Sequence, residues 1–353
     1  MQFFNFPNPD IETHLRVLVI DVHKESAKTK YTLLVMKLFG DFLGALRTCA
    51  IMVFSISRFG NLFFLLISFA ISAKTPYEII AQAPDNDWRD IDNSNTLYIQ
   101  LETGTVVVEL APKFAPIHVS NTKKLVKEGI FDNTNFYRVI DGFVAQGGPL
   151  FDDSNKIKQP KTAQLNIAAE FTLKTDKPLN WTAVTNKDGY AAETGFYHGF
   201  AVGRSKDQKT NWLLHCYAAF AMGRGNEPNT GGTELYIING NAQRYLDRNT
   251  TVFGRVVVGM EHIQALKRSQ NIAGKVDLTD KNKILSIKVA SDIAKDKRLP
   301  IQIMKTDSAS FKALIQSRKN RNGQWFVYQH NYIDACSIPV PVRLNNATTT
   351  RKL

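Results

Sequence analysis

Arg138 and Gln146 lie in the stretch "NTNFYRVIDGFVAQGG", Asn133 to Gly148, among Phe136, Val139, Ile140, Phe143 and Val144. A guanidinium is a permanent cation and a side-chain amide both donates and accepts hydrogen bonds. Burying such groups is costly without partners, so the pair requires a structural partner or a chemical use. Other chemistry-bearing residues offer less. His215 and Cys216 are adjacent, and neighbours on a strand point to opposite faces, so no thiol–imidazole dyad is expected. His118 and His198 lack metal-ligand spacing, and neither a metal nor another cofactor is expected.

Short strands must carry the pair. Phe136–Ile140 and Phe143–Gln146 read as two strands around the turn "DG". Upstream, Thr96–Leu101 and Thr105–Leu110 are β-branched runs joined by "ETG". Pro116 opens a helix in which Val119, Thr122, Leu125 and Val126 recur at helical spacing before Gly129. Tyr217–Met222, Glu234–Ile238, Val252–Val258 and Ile284–Ala290 read as further strands, and "GMEHIQALKR" as a second helix start. Residues 151–215 show little periodicity, but their aromatics, including Phe171, Trp181, Phe196, Phe200 and Trp212, predict an ordered insertion. Many short antiparallel strands with two helices make a mainly β protein, a barrel with helical plugs.

The 353 residues carry a formal charge of +12. Residues 295–353 hold eleven Lys or Arg against three Asp or Glu, so the excess is mostly a feature of this C-terminal extension. No nucleic-acid-reading motif accompanies it, and nucleic acid is not an expected partner. "FGNLFFLLISFAISA", Phe59–Ala73, is uncharged, follows Arg58 and ends in small residues. It is short for a bilayer span of roughly 20 residues and matches an export signal cleaved near Ala73. Met52 gives that signal an ordinary start. Residues 1–51 then read as an over-long N-terminal extension, 52–73 as the signal, 74–95 as a polar leader, 96–294 as the main domain and 295–353 as the extension. The protein is expected in the periplasm or secreted, without stable membrane insertion after cleavage; the alternative is an anchor through 59–73. Cys216 and Cys336 remain in the mature chain, as a disulfide or as two buried thiols.

Four collinear blocks between Thr96 and Ala290 carry a resemblance. "FYRVIDGFVAQGG", "VVVELAPKFAPIHVSNTKKLVKEGIFDN", "AMGRGNEPNTGGTELYI" and "YLDRNTTVFGRVVVGMEHI" resemble the cyclophilins, the peptidyl-prolyl cis-trans isomerases, nearest the exported bacterial members. The resemblance implies a closed eight-stranded antiparallel β-barrel capped by two α-helices, with a proline-binding groove on its outer face. It implies a monomer that acts on proline-containing polypeptides during folding of exported proteins. By motif, Arg138 is the catalytic arginine and Gln146 the polar contact beside it. Phe143, Met222, Tyr236 and Leu246 line the proline pocket, and Gly223 and Arg224 present peptide-binding backbone.

Departures from the family pattern bear on specificity. Arg224 stands where asparagine is usual, and Glu234 replaces a glutamine. Tyr245 replaces the tryptophan associated with cyclosporin binding, and Thr250 stands at the position of a pocket histidine. Glu234 is expected either to pair with Arg138 or Arg224, or to face solvent. The alternative function is a proline-peptide-binding or chaperone module with weak or no isomerase activity. The tail segment "SIPVPVRL" is a candidate occupant of its own or a neighbour's groove.

Overall fold

The computed structural model describes residues 33–36, 48–56, 62–70, 74–149, 159–269, 282–321, 323 and 325–345. The chain divides into two units, 1–74 and 75–353. In the first, β1 (Leu33–Met36), β2 (Thr48–Ile56) and β3 (Leu62–Ala70) form an antiparallel sheet in that order. The expected cleavage point near Ala73 lies outside the described residues. Among the described residues, no helix is long and apolar enough to cross a membrane.

The second unit opens with α1 (Pro76–Ala81), started by Thr75 and Glu78 in a reciprocal capping box, and β4 (Trp88–Asp90). Next come β5 (Thr96–Leu101), β6 (Gly104–Leu110), α2 (Pro116–Lys127), β7 (Thr134–Ile140) and β8 (Val144–Gly148). The insertion supplies β9 (Leu173–Lys174), β10 (Thr182–Val184), β11 (Glu193–Tyr197), β12 (Phe200–Arg204) and β13 (Thr210–Leu213). The barrel resumes with β14 (Ala219–Met222), β15 (Leu235–Ile238), β16 (Thr251–Val258), α3 (Met260–Gln264) and β17 (Lys283–Val289). β18 (Ile301–Met304), α4 (Ala309–Lys319) and β19 (Val342–Leu344) complete the unit.

Eight strands close a barrel in the order β14-β15-β8-β7-β17-β5-β6-β16, and each adjacent pair is antiparallel. Alternation along the strands fills its interior with Leu97, Ile99, Leu101, Val106, Val108, Phe136, Phe220 and Phe253. The triplet Val106–Val108 is wholly buried because a second layer covers the outer face, where Tyr98 and Val107 meet Ile91, Ile301 and Ile303. That layer is the sheet β19-β18-β4, in which the extension pairs with the leader.

The insertion folds as a five-stranded sheet, β10-β11-β12-β13-β9. A further core joins it to both ends of the unit: Trp88, Phe196, Trp212, Met304, Phe311 and Leu314 pack together. Cys216 and Cys336 are bonded, with Cα atoms 4.9 Å apart, tying the barrel entrance to the extension. The segment "SIPVPVRL" is therefore not in its own chain's groove: Ile338 and Val340 pack into these cores and β19 pairs with β18.

Glu170 shows how the insertion grips the barrel. Ala115, which flanks the start of α2, offers no side-chain cap, and Glu170 takes the role by accepting from the Ile117 and His118 N–H groups at 2.9 and 2.8 Å. At the other end of α2, Glu128 accepts from the Thr162 hydroxyl and from the Lys161 and Thr162 N–H groups. These bonds, the Thr162 side chain first, hold the Glu128 carboxyl down at about 2.

Candidate active site

Arg138, Gln146, Tyr236 and Ala221 occupy one cross-strand row over β7, β8, β15 and β14. Because sheet side chains alternate, the row shares one face, outside the barrel core. Phe143, from the β7–β8 turn, packs there with Val144, Tyr236 and Val252. The Arg138 guanidinium lies 5.5 Å from the Phe143 ring centroid and donates from Nη1 to Gln146 Oε1 at 3.2 Å. This is its one side-chain hydrogen bond among the described residues, so its remaining N–H groups are available to a ligand.

A bulge in β7 enlarges the site. Asn135 opposes Gly148 and Arg138 opposes Gln146, so β7 spends one residue more than β8 between the two pairings. On a regular strand Tyr137 and Arg138 would face opposite ways; the extra residue lets both reach Gln146. The Gly147–Gly148 pair makes room for this. A Cβ on Gly147 would stand 2.5 Å from the Asn135 carbonyl oxygen, and one on Gly148 would stand 2.8 Å from Glu234 Oε1.

The Tyr137 hydroxyl donates to Glu234 Oε2 and accepts from Gln146 Nε2 at 3.0 Å. Tyr137 and Glu234 are only 4 % and 6 % exposed. A carboxylate only accepts, so Tyr137 gives it the single hydroxyl proton and must itself accept from Gln146. That sets the Gln146 amide with nitrogen toward Tyr137 and oxygen toward Arg138. Burial first, and the neighbouring Glu234 charge next, push the Tyr137 hydroxyl well above the usual tyrosine range and keep it a donor.

The structure corrects the solvent-facing expectation for Glu234, which is buried and accepts from Tyr137. The Arg224 guanidinium donates to the carbonyls of Asn249, Gly225 and Asn226 at 2.8–2.9 Å and lies 5.6 Å from the Phe171 ring, bracing its loop against the insertion. Met222 is also corrected. It is 1 % exposed and packs inside the barrel with Leu235, its register partner, because alternation gives the outer face to Ala221. Val144 supplies the apolar wall beside Tyr236 in its place. Gly223 lies against the site: a Cβ there would stand 3.1 Å from Gln146 Nε2. Leu246 is half-buried on the short turn Arg244–Leu246, and Tyr245 beside it is 56 % exposed.

Two residues join the site that the sequence had not assigned to it, Tyr137 and His215. Only adjacency to Arg138 marked the first. His215, wholly buried, places Nε2 2.9 Å from both the Tyr236 hydroxyl and Thr250 Oγ1, while Nδ1 lies 3.0 Å from Asp247. An imidazole therefore serves the pocket although Thr250 holds the histidine position, and it arrives from the end of the insertion. Asp247 is paired at 2.7 Å with buried Arg244, which also clasps Asp188. Burial pushes the Tyr236 hydroxyl above its ordinary range.

The pattern of the cyclophilin type peptidyl-prolyl cis-trans isomerase/CLD family matches residues 96–289. Among curated relatives, the chain is 50% identical over 167 residues to "Peptidyl-prolyl cis-trans isomerase B" of Bacillus subtilis, covering 47% of this chain and 86% of the relative. It is 29% identical over 192 residues to a "Probable peptidyl-prolyl cis-trans isomerase" of Brucella suis, covering 54% of this chain and 81% of the relative. Among solved structures it resembles cyclophilin AquaCyp293 from Hirschia baltica, with a TM-score of 0.59, 26% identity and coverage of 77% of this chain and 97% of that one. With the closed eight-stranded barrel and its arginine-bearing face, these likenesses assign the chain to the cyclophilin-type peptidyl-prolyl cis-trans isomerases.

Proposed function

We propose that Arg138 accelerates rotation about X-Pro bonds by donating a hydrogen bond to the prolyl nitrogen in the twisted transition state. The planar imide resists rotation with a barrier of ~18–20 kcal/mol because the nitrogen lone pair is delocalised. Rotation returns that lone pair to nitrogen, which then accepts a hydrogen bond it cannot accept in either ground state. A donor aimed there binds the transition state selectively. The observation that carries this reading is the Arg138 geometry: a guanidinium aligned by Gln146 at 3.2 Å, beside the Phe143 ring, with donors left over. Phe143, Val144, Tyr236 and Leu246 would grip the proline ring and exclude water, strengthening the bond. No nucleophile or proton transfer is needed.

The substrates are proline-containing polypeptides, and the setting is the folding of exported proteins after cleavage near Ala73. Isomerisation of a proline peptide, followed by NMR exchange with parent chain and Arg138→Ala, tests the chemistry; equal rates would leave a peptide-binding module. Mass spectrometry of the protein recovered from its host tests the setting, and an intact Met1 would remove it.

A further inference from the structure

A cavity of about 290 Å³ lies between the outer face of β16, strand β12 of the insertion, and residues 335–342 of the extension. A water needs only roughly 10–15 Å³ of such space, so the cavity has room for a small ligand. Its wall is apolar, with Phe200, Leu213, Val257, Ile338 and Val340, and the Cys216–Cys336 bond contributes to it. A more open pocket of about 300 Å³ continues along β16 past Met260 and Val342. Arg138 and Gln146 line neither space.

Arg255 is the cation of the cavity itself, while Arg343 and Glu261 line the more open pocket beyond it. Arg255 reaches Glu109 only by long contacts, 3.4 Å from Nε and 3.3 Å from Nη2, because Arg89 holds the other carboxylate oxygen at 2.5 Å. Two guanidinium groups thus share one carboxylate, leaving a surplus positive charge. Arg255 Nη1 has no partner among the described residues, and the guanidinium lies 5.7 Å from the Phe200 ring. Gly199 accommodates the pair: a Cβ there would stand 3.1 Å from Arg89 Nη2 and 3.4 Å from Arg255 Nη2. Burial lowers the Arg255 guanidinium from its ordinary value, and Arg89 adds to that effect against the opposing pull of Glu109. A weakly paired cation in an apolar chamber calls for an anion.

We propose that this cavity binds an apolar monoanion, a medium-chain carboxylate, with its head on Arg255 and its chain along Val257 toward Met260. Charge complementarity selects the carboxylate over a neutral amphiphile, and the length of the slot along β16 selects a linear chain. Because barrel, insertion and extension all wall the cavity, the ligand clamps the three parts and stabilises the fold by mass action.

The test titrates the full chain with decanoate and with decanol, reading heat of binding and thermal midpoint. Decanoate is expected to bind saturably at one site, to raise the midpoint, and to bind on the order of 10-fold more tightly than decanol. Arg255→Gln should equalise the two probes, and Val257→Phe, which intrudes from the cavity wall, should abolish binding of both. If Arg255→Gln does not fold, the Val257→Phe result and the acid-to-alcohol ratio of the parent decide. Absent saturation, equal affinity for acid and alcohol in the parent, retention of decanoate by folded Val257→Phe, or its displacement by a proline peptide would each overturn the proposal.

Discussion

Tyr137→Phe deletes one oxygen atom and tests how Arg138 is aimed. The parent hydroxyl gives its proton to Glu234 and accepts from Gln146 Nε2 at 3.0 Å, with both Tyr137 and Glu234 buried. Two losses follow. The Glu234 carboxylate loses a hydrogen bond to a charged group, worth roughly 1.5–3 kcal/mol of stability. Gln146 loses the acceptor that fixes its amide, so the amide can turn its nitrogen toward Arg138, where two donors would face each other. Catalysis should therefore fall about 10-fold in kcat/KM, equivalent to about 1.4 kcal/mol of transition-state stabilisation. The loss should fall on kcat, because Phe143, Val144 and Tyr236 are untouched and still bind the proline ring. Glu234→Gln provides the contrast. Its amide oxygen still accepts from Tyr137, so the relay survives and kcat/KM should fall less than about threefold. NMR exchange on a proline peptide gives the rates, and thermal unfolding verifies the fold. A folded Tyr137→Phe chain with parental kcat, or a Glu234→Gln chain slower than it, would refute the relay.

The Cys216–Cys336 bond closes a loop of 120 residues, and its loss through Cys336→Ser should cost roughly 2–5 kcal/mol in chemical denaturation; an unchanged midpoint would mean the shared core alone holds the extension. Glu128 has its folded pKa depressed from 4.5 to about 2, so its stabilising contribution is complete above 4.5 and is lost as pH falls toward 2. Glu128→Gln should flatten that part of an acid-unfolding curve, and a parental slope between those pH values would contradict the role given to the Glu128 bonds with Lys161 and Thr162.

The barrel was legible because its strands are β-branched and aromatic runs separated by turn residues, although several of them bury both faces. Thr96–Leu101 and Pro116 onward fall where periodicity places them. The insertion strands were not, since they run only two to five residues, too short for a pattern to show. β4 and β18 were hidden for another reason. Met304 pairs with Trp88 across most of the unit, and no local pattern announces a partner so distant. At the site, Arg138, Gln146, Phe143 and Tyr236 could be placed by motif. Met222 was misplaced by one step of strand alternation, and Tyr137 was missed because a bulge, not a pattern, turns it toward Gln146. His215 was weighed only against its neighbour Cys216, whereas its partners Asp247, Tyr236 and Thr250 come from segments 21 to 35 residues away.

The central claim is that Arg138 interacts with the prolyl nitrogen in the transition state more strongly than in either ground state. Arg138→Ala in the full chain, with kcat and peptide Kd measured on the same proline peptide, tests it most directly. Removing one preorganised donor should lower kcat by ~10²–10³, while Kd changes by less than about threefold. A parental kcat in the folded variant, or a loss carried entirely by Kd, would contradict the account.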